Sequence, residues 1–423
     1  MIYFSQGSAD TEISKNELKT ALFSTLATLG PKKKVLILPP DFTRFHSQAG
    51  KITELAWEYY QDTITDILPA LGTHVPMTSG EIKKMFGSVP QKLFRVHDWR
   101  NDIVTLGEVP SDFIKGISEN KINYSWPAQV NRLLVKGNYD LILSIGQVVP
   151  HEVIGMANFN KNIFIGTGGC ESINKSHFLG AVYGMERIMG RADTPVRQVL
   201  NYASDHFAQK LPIVYIQTVI ASNSKGELSI KGLFIGNSKK CFEEASELSL
   251  QVNFKMMEKP LKKIVVYLNP EEFKSTWLGN KSIYRTRMAM ADQGELIVLA
   301  PGLKEFGEDK EIDRLIRKYG YTGTDNILRL VNKNDDLKNN LSAAAHLIHG
   351  SSENRFKIRY CPGHLGKREI ESVNFDYAEL GPMLKKYNPD KLKNGYNKLP
   401  NGEEFFFISN PALGLWAHKD RFQ

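Results

Sequence analysis

Cysteine is scarce. The three in this 423-residue chain, Cys170, Cys241 and Cys361, are too few and too scattered for a disulfide framework or a cysteine-built zinc site. Long apolar runs are missing as well, and none approaches the roughly 18–20 residues that a membrane-spanning helix needs. The opening residues, Met1 to Leu18, lack the basic start and apolar core of a secretory signal. A reducing cytoplasm is the expected location, with no membrane partner. Charge of one sign is not concentrated: 54 Lys and Arg against 46 Asp and Glu leave a net +8 that is spread along the chain. The longest basic run, Lys32 to Lys34, stands before an apolar segment and reads as its solvated start. Zinc-finger spacing and ribonucleoprotein motifs are absent, so nucleic acid is not an expected partner. A small anionic substrate or a phosphorylated cofactor accounts for the mild positive excess. The GxGxxG fingerprint with its downstream acid is missing, which argues against a nicotinamide oxidoreductase, and no Walker loop is present.

What is there is ordinary globular material: 42% hydrophobic and 24% charged residues. At roughly 150 residues per domain the length suggests two or three domains. Short apolar runs ending in loops read as buried strands at Lys34–Pro39, Tyr139–Ile145 and Ile163–Ile165. Helical periodicity covers Ile52–Leu71, His177–Met189 and Pro195–Gln209, with further strands at Ile213–Ala221 and Glu227–Ile235. A helix at Cys241–Met257 is ended by Pro260. Strands at Lys263–Leu268 and Glu295–Ala300 then alternate with helices at Ser282–Ala291, Asp309–Tyr319, Thr324–Val331 and Asp335–His349. This alternation predicts an α/β fold, with chemistry at the carboxyl ends of strands. The expected division is an N-terminal α/β domain over 1–260 and a C-terminal α/β domain over 261–423.

The candidate chemistry sits in short loops. Asp41-Phe-Thr-Arg44 follows the first apolar strand, and an Asp and Arg so spaced can bind and orient a carboxylate through the arginine fork, or simply pair on the surface. His74, in Gly72-Thr-His-Val-Pro-Met-Thr78, is a candidate general base or a satisfied structural histidine. His97-Asp98 reads as structural. The densest run holds Pro150-His151, Lys161, Gly166-Thr-Gly-Gly169 and His177. Two histidines and a lysine broken by glycines can converge on one site, as a Schiff-base or metal centre. Gly166, Gly168 and Gly169 would let backbone amides approach a phosphate. Lys281, after Trp277-Leu-Gly-Asn, is a candidate for a cleft between domains or a solvated helix face. His346 and His349 share one face of an apolar helix and take a helix-end role; His364 is unassigned.

Taken together, these loops resemble the nickel-dependent lactate racemase family and its related 2-hydroxy-acid racemases and epimerases. The resemblance rests on Asp41-x-Thr43-Arg44, on Gly72 to Thr78, on His97-Asp98, and on the Pro150-His151, Lys161, His177 run. The spacings fit the family: thirty residues from Arg44 to His74, ten from His151 to Lys161 and sixteen from Lys161 to His177. The resemblance implies two α/β domains with the active site in the cleft between them, the second closing over the substrate. It implies a nickel-pincer nucleotide (pyridinium-3,5-bisthiocarboxylic acid mononucleotide) with Ni(II), covalently attached to Lys161 and with His177 as nickel ligand. His74 and His151 would be the two acid–base groups, and Arg44 and Lys281 would hold the substrate carboxylate. Asp41 would orient or contact the cofactor. Cofactor synthesis and loading proteins would be required partners.

The chain departs from the family where the substrate is held. Phe45 stands where a proline usually follows the arginine, Asn158-Phe-Asn-Lys161 replaces a Ser-Gly-Gly-Arg-Lys type of run, and Leu278 replaces a glutamine. A small anionic 2-hydroxy acid other than lactate, such as a sugar acid, is therefore expected. The competing readings are a hydrolase or lyase using His74, His151 and His177 directly as metal ligands, and a ligand-binding homologue without turnover.

Overall fold

The computed structural model describes residues 1–222 and 227–422. The chain divides into two compact units: residues 1–179 with 189–253, and residues 180–188 with 254–423. Both are mixed α/β, as the alternation predicts.

The first unit is built on a six-stranded sheet in the order Ile2–Gly7, Leu228–Gly236, Ile213–Ser222, Leu141–Gln147, Val35–Leu38, Ile64–Ile67. The last four strands run parallel, with Val35 beside both Leu141 and Ile64 and with Ile142 beside Ile213. Their continuous apolar runs follow from burial on both faces: every residue of Val35–Leu38 and of Leu141–Gln147 is buried. Leu141, Leu143 and Ile145 point into a core shared with Ile37, Ile52, Ile67 and Leu22. The consequence for function is topological. Three neighbouring parallel strands end at Leu38, Ile67 and Gln147, and the loops that follow them carry Asp41 and Arg44, His74, and His151 respectively.

The second unit holds another six-stranded sheet, in the order Asp376–Tyr377, Lys357–Pro362, Met290–Ala300, Leu261–Tyr267, Glu404–Ile408, Gly395–Lys398. All but the last pairing are parallel. A separate parallel pair joins Phe254–Met257 to Leu415–His418. No helix among the described residues is long and apolar enough to cross a membrane.

Several expected elements differ. The periodic segment Ile52–Leu71 is a helix only over Ala49–Tyr60. The chain then turns and enters the strand Ile64–Ile67, because Ile64 and Ile67 find partners in Val35–Leu38. Ile163–Ile165 is no strand but part of a π-helical turn, Asn162–Gly166, whose residues are all buried. The helix expected to reach Met257 stops at Asn253, since Phe254–Met257 pairs with Leu415–His418. Ser282–Ala291 is helical only over Lys281–Thr286, and Asp335–His349 is two helices, Asp335–Lys338 and Leu341–His349. The His177 helix begins earlier, at Cys170, and ends at Tyr183, where Gly184 takes φ +112°. The division falls after Asn253 rather than at 260, and 180–188 joins the second unit, where Arg287 donates to Glu186.

Candidate active site

Asp41 caps the 3-10 turn Phe42–Ser47 that follows the first central strand. Its Oδ1 accepts from the Thr43 amide at 3.1 Å and from the Thr43 hydroxyl at 2.5 Å. Its Oδ2 meets His74 Nδ1 at 2.5 Å. Burial alone would raise this carboxyl. The His74 imidazole, the Thr43 hydroxyl and the Arg44 guanidinium outweigh it and hold Asp41 at about 2. Asp41 is therefore an anion at working pH, and it can only accept, so His74 Nδ1 carries a proton and the neutral ring has its lone pair on Nε2. Arg44 in the same turn keeps Nη1 buried with no protein acceptor among the described residues, the state expected of a fork awaiting an anionic ligand.

His151 lies on the short hairpin Pro150–His151/Gly155–Met156 and is 6% exposed. Its Nδ1 accepts from the Val153 amide at 3.1 Å, so the neutral ring presents N–H at Nε2, the opposite tautomer to His74. Glu152 follows it, with Oε2 3.8 Å from His151 Nδ1.

Lys161 opens the π-helical turn, in a helical conformation (φ −59°, ψ −40°). Burial, reinforced by the Arg44 charge, pushes its amine down to about 8, against the opposing pull of Glu152 and Asp41. About a tenth of such an amine is neutral and nucleophilic at pH 7. His177 donates from Nδ1 to the Ile173 carbonyl at 2.7 Å, one helical turn back. That bond fixes the lone pair on Nε2, the orientation a metal-ligating histidine needs. Burial pushes His177 down to about 4, and the Lys161 charge adds to the shift. The charges of His74 and Arg44 act on Asp41, those of Arg44, Glu152 and Asp41 on Lys161, and those of Lys161, Glu152 and His74 on His177.

The other candidates have surroundings of their own. His97 is buried with both nitrogens engaged, Nε2 with the Gly168 carbonyl at 3.0 Å and Nδ1 with the Asn131 amide at 3.1 Å, a structural role. The Gly166–Gly169 loop does not form the expected phosphate cradle, because its amides are used internally. Thr167 donates to Asn162, Gly168 to Ile165 and Gly169 to Ser172 Oγ. These glycines serve close packing instead: a Cβ on Gly168 would overlap the Phe164 carbonyl, and one on Gly169 the Gln129 side chain. Lys281 belongs to the second unit, is 5% exposed, and lies 5.7 Å from the Phe273 ring centroid. His346 bonds the Tyr284 and Tyr321 hydroxyls at 2.8 and 2.9 Å and is structural; His349 ends its helix, and His364 is exposed.

Sequence reasoning missed Glu152 and Arg197. Glu152 carried a signal, its adjacency to His151. Arg197, within an amphipathic helix, carried none. Among the described residues, no three His, Cys, Asp or Glu side chains converge as a metal-binding group, so His74, His151 and His177 do not form a three-histidine site.

Residues 11–188 match the family described as the lactate racemase N-terminal domain. No curated protein sequence matches the chain. Among solved structures, a protein from Thermotoga maritima superposes with a TM-score of 0.82 at 25% identity, covering 96% of this chain and 98% of its own. The lactate racemase apoprotein from Thermoanaerobacterium thermosaccharolyticum superposes with a TM-score of 0.69 at 17% identity, covering 96% and 93% respectively. At that identity the second likeness speaks to the fold.

Proposed function

On the match of residues 11–188 to the lactate racemase N-terminal domain, we propose that this chain is an isomerase inverting C2 of a 2-hydroxy acid with a lysine-tethered nickel-pincer nucleotide. What supports the reading is a buried Lys161 amine lowered to about 8, whose charge acts on a buried His177 imidazole lowered to about 4 that donates from Nδ1 to the Ile173 carbonyl. Those residues fit the group: Lys161 would tether it and His177 would ligate nickel. One protein ligand would suffice for nickel whose other donors the organic group supplies. When bound, the nucleotide would supply the acceptor and donor of the C2 hydride.

The chain's own groups do the rest. Arg44 takes the substrate carboxylate on its buried Nη1, and Lys281 remains proposed as a second cation for it. His74 removes the hydroxyl proton at Nε2 while Asp41 stabilises the imidazolium. For the other enantiomer His151 returns the proton from Nε2 as an imidazolium, which needs a second proton on Nδ1 and hence release of the Val153 amide. Two such histidines are needed because each enantiomer presents its hydroxyl on a different side. Phe45, 41% exposed beside Arg44, and the changes at Asn158–Asn160 and Leu278 support a substrate other than lactate, such as a sugar acid. We place the work in the cytoplasm, dependent on proteins that make and load the cofactor.

The test is intact-protein mass spectrometry with nickel analysis, on protein produced alongside cofactor-synthesis enzymes. The expected result is a covalent increment mapping to the Lys161 peptide together with bound nickel, the increment lost in Lys161→Ala and the nickel in His177→Ala. An unmodified lysine under those conditions overturns the tether. A panel of 2-hydroxy acids with chiral analysis then fixes the substrate, and turnover of lactate alone overturns the substrate reading.

A further inference from the structure

Arg197 is a buried cation without an anion. It is 1% exposed, and among the described residues no carboxylate pairs with it, Tyr215 being the one titratable group that acts on its charge. It also sits in the first turn of the helix Pro195–Phe207, where the helix dipole disfavours positive charge. Both features cost stability, so its contacts must explain its presence. Its side-chain hydrogen bonds all fall on one segment. Nη2 donates to the Met156 carbonyl at 2.6 Å, both terminal nitrogens reach the Asn158 carbonyl at 3.4 Å, and Nη1 bonds Asn160 Oδ1. The guanidinium lies 4.3 Å from the Phe242 ring centroid, and Phe242 in turn stacks on Phe159.

The segment so held ends at Lys161 and is strained. Asn158 and Phe159 are consecutive left-handed residues, at φ +70° and +59°. Asparagine tolerates that region, but a bulky phenylalanine is an outlier there that persists only if its surroundings impose it. Asn158 is further pinned through its side chain to the Gly146 carbonyl at 2.9 Å and to Asn162 at 2.7 Å. Thr194, which caps the Arg197 helix, donates to the Ile154 carbonyl at 3.1 Å.

We propose that Arg197 is a positioning residue for the tether: its buried fork fixes the left-handed Asn158–Phe159 turn and thereby sets Lys161 at the start of the π-helical turn. This rests on the reading of Lys161 as the attachment point. Its unpaired charge fits the task, because a planar donor fork matches several backbone carbonyls, and its field lies close enough to disfavour the charged form of Lys161.

The experiment compares wild type, Arg197→Met and Arg197→Lys by two readouts. The first is hydrogen exchange of the apoprotein over residues 156–162. The second is the fraction of Lys161 carrying the adduct after a fixed loading time. In Arg197→Met the amides of 156–162 are expected to exchange roughly tenfold faster or more, with the strand Leu141–Gln147 unchanged. Adduct formation should fall by about tenfold or more, and Arg197→Lys should recover part of both. Unchanged exchange, unchanged loading, or acceleration spread evenly through the first unit would each overturn the inference. Should Arg197→Met fail to fold, Asn160→Ala, which removes one contact of the clamp, is expected to show the same local pattern more weakly, and its absence overturns the inference equally. A wild-type protein that takes no adduct overturns the tether itself, whereas normal wild-type loading with unimpaired Arg197→Met overturns only this step.

Discussion

Asp41 serves two purposes at once: it caps the turn that presents Arg44, and it fixes the tautomer of His74. Asp41→Asn separates them. Asparagine caps a helix as well as aspartate, so thermal unfolding should change little. Its amide would instead donate toward Nδ1, moving the lone pair away from Nε2, and kcat should fall by roughly 10²–10⁴-fold. Steady-state kinetics beside a melting curve would show this, and an unchanged kcat would remove Asp41 from the proton path. Acid stability follows from the same groups. His177 falls from 6.5 to about 4 and Asp41 from 3.8 to about 2 in the folded chain, so the unfolded chain binds those protons first. Stability is fully present above pH 6.5 and is lost as the pH falls, first through His177 and then through Asp41. For His177 the loss between pH 6.5 and 4 is on the order of 3 kcal/mol. Lys161 acts at the other end, since its buried amine costs stability below pH 8 and the cost fades towards 10.5. Denaturant unfolding of apoprotein from pH 7 to 4 should show the decline, and His177→Gln should flatten its upper part; a flat wild-type profile contradicts the burial of His177. The residues with distinctive chemistry, Arg44, His74, His151, Lys161 and His177, were legible as letters in loops. Their protonation was not, because it depends on Thr43, Val153 and the Ile173 carbonyl, which no spacing reveals.

At the scale of elements, the legible parts were the long ones. Tyr139–Ile145 and Ile213–Ala221 read as strands because unbroken apolar runs need a buried sheet. The segment before Lys161 was illegible for a physical reason: a Phe in left-handed conformation contradicts local propensity and persists here in packing against Tyr215 and Phe242. Ile163–Ile165 has a strand's composition, and only its burial between Ser144, Trp126 and the glycine turn makes it a π-turn. That turn is closed at Gly168, whose Cα position admits no side chain beside the Phe164 carbonyl. Gly168→Ala must therefore shift backbone, at a cost of roughly 1–3 kcal/mol. It should also weaken the bond from His97 Nε2 to the Gly168 carbonyl. Denaturant unfolding measures the cost, and a neutral substitution would mean that the turn gives way more readily than its packing indicates.

The whole molecule is assembled from discontinuous stretches, which is why its division escaped composition. Glu258-Lys-Pro260 looks like a linker, yet it is only a loop inside the second unit, between Phe254–Met257 and Leu261–Tyr267, and the first of these strands is paired near the far end of the chain. The segment 180–188, directly after the His177 helix turn, is likewise held in the second unit by charge. Glu186 accepts from Arg287 Nε at 2.9 Å and lies 3.8 Å from both Arg355 and Arg421. Arg287 is 6% exposed, and it also donates to the His349 and Ser351 carbonyls. One carboxylate among three guanidiniums is not replaceable by a neutral group of the same shape, because removal leaves a buried cation unpaired. Glu186→Gln should accordingly cost roughly 1–3 kcal/mol, tempered by the partial exposure of Glu186. Hydrogen exchange should quicken in 180–188 and around Arg287 while the strands of the first unit keep their protection. If protection is lost equally in both units, Glu186 secures the entire fold rather than its own unit; if nowhere, the three arginines are already neutralised by Asp292 and the carbonyls they reach.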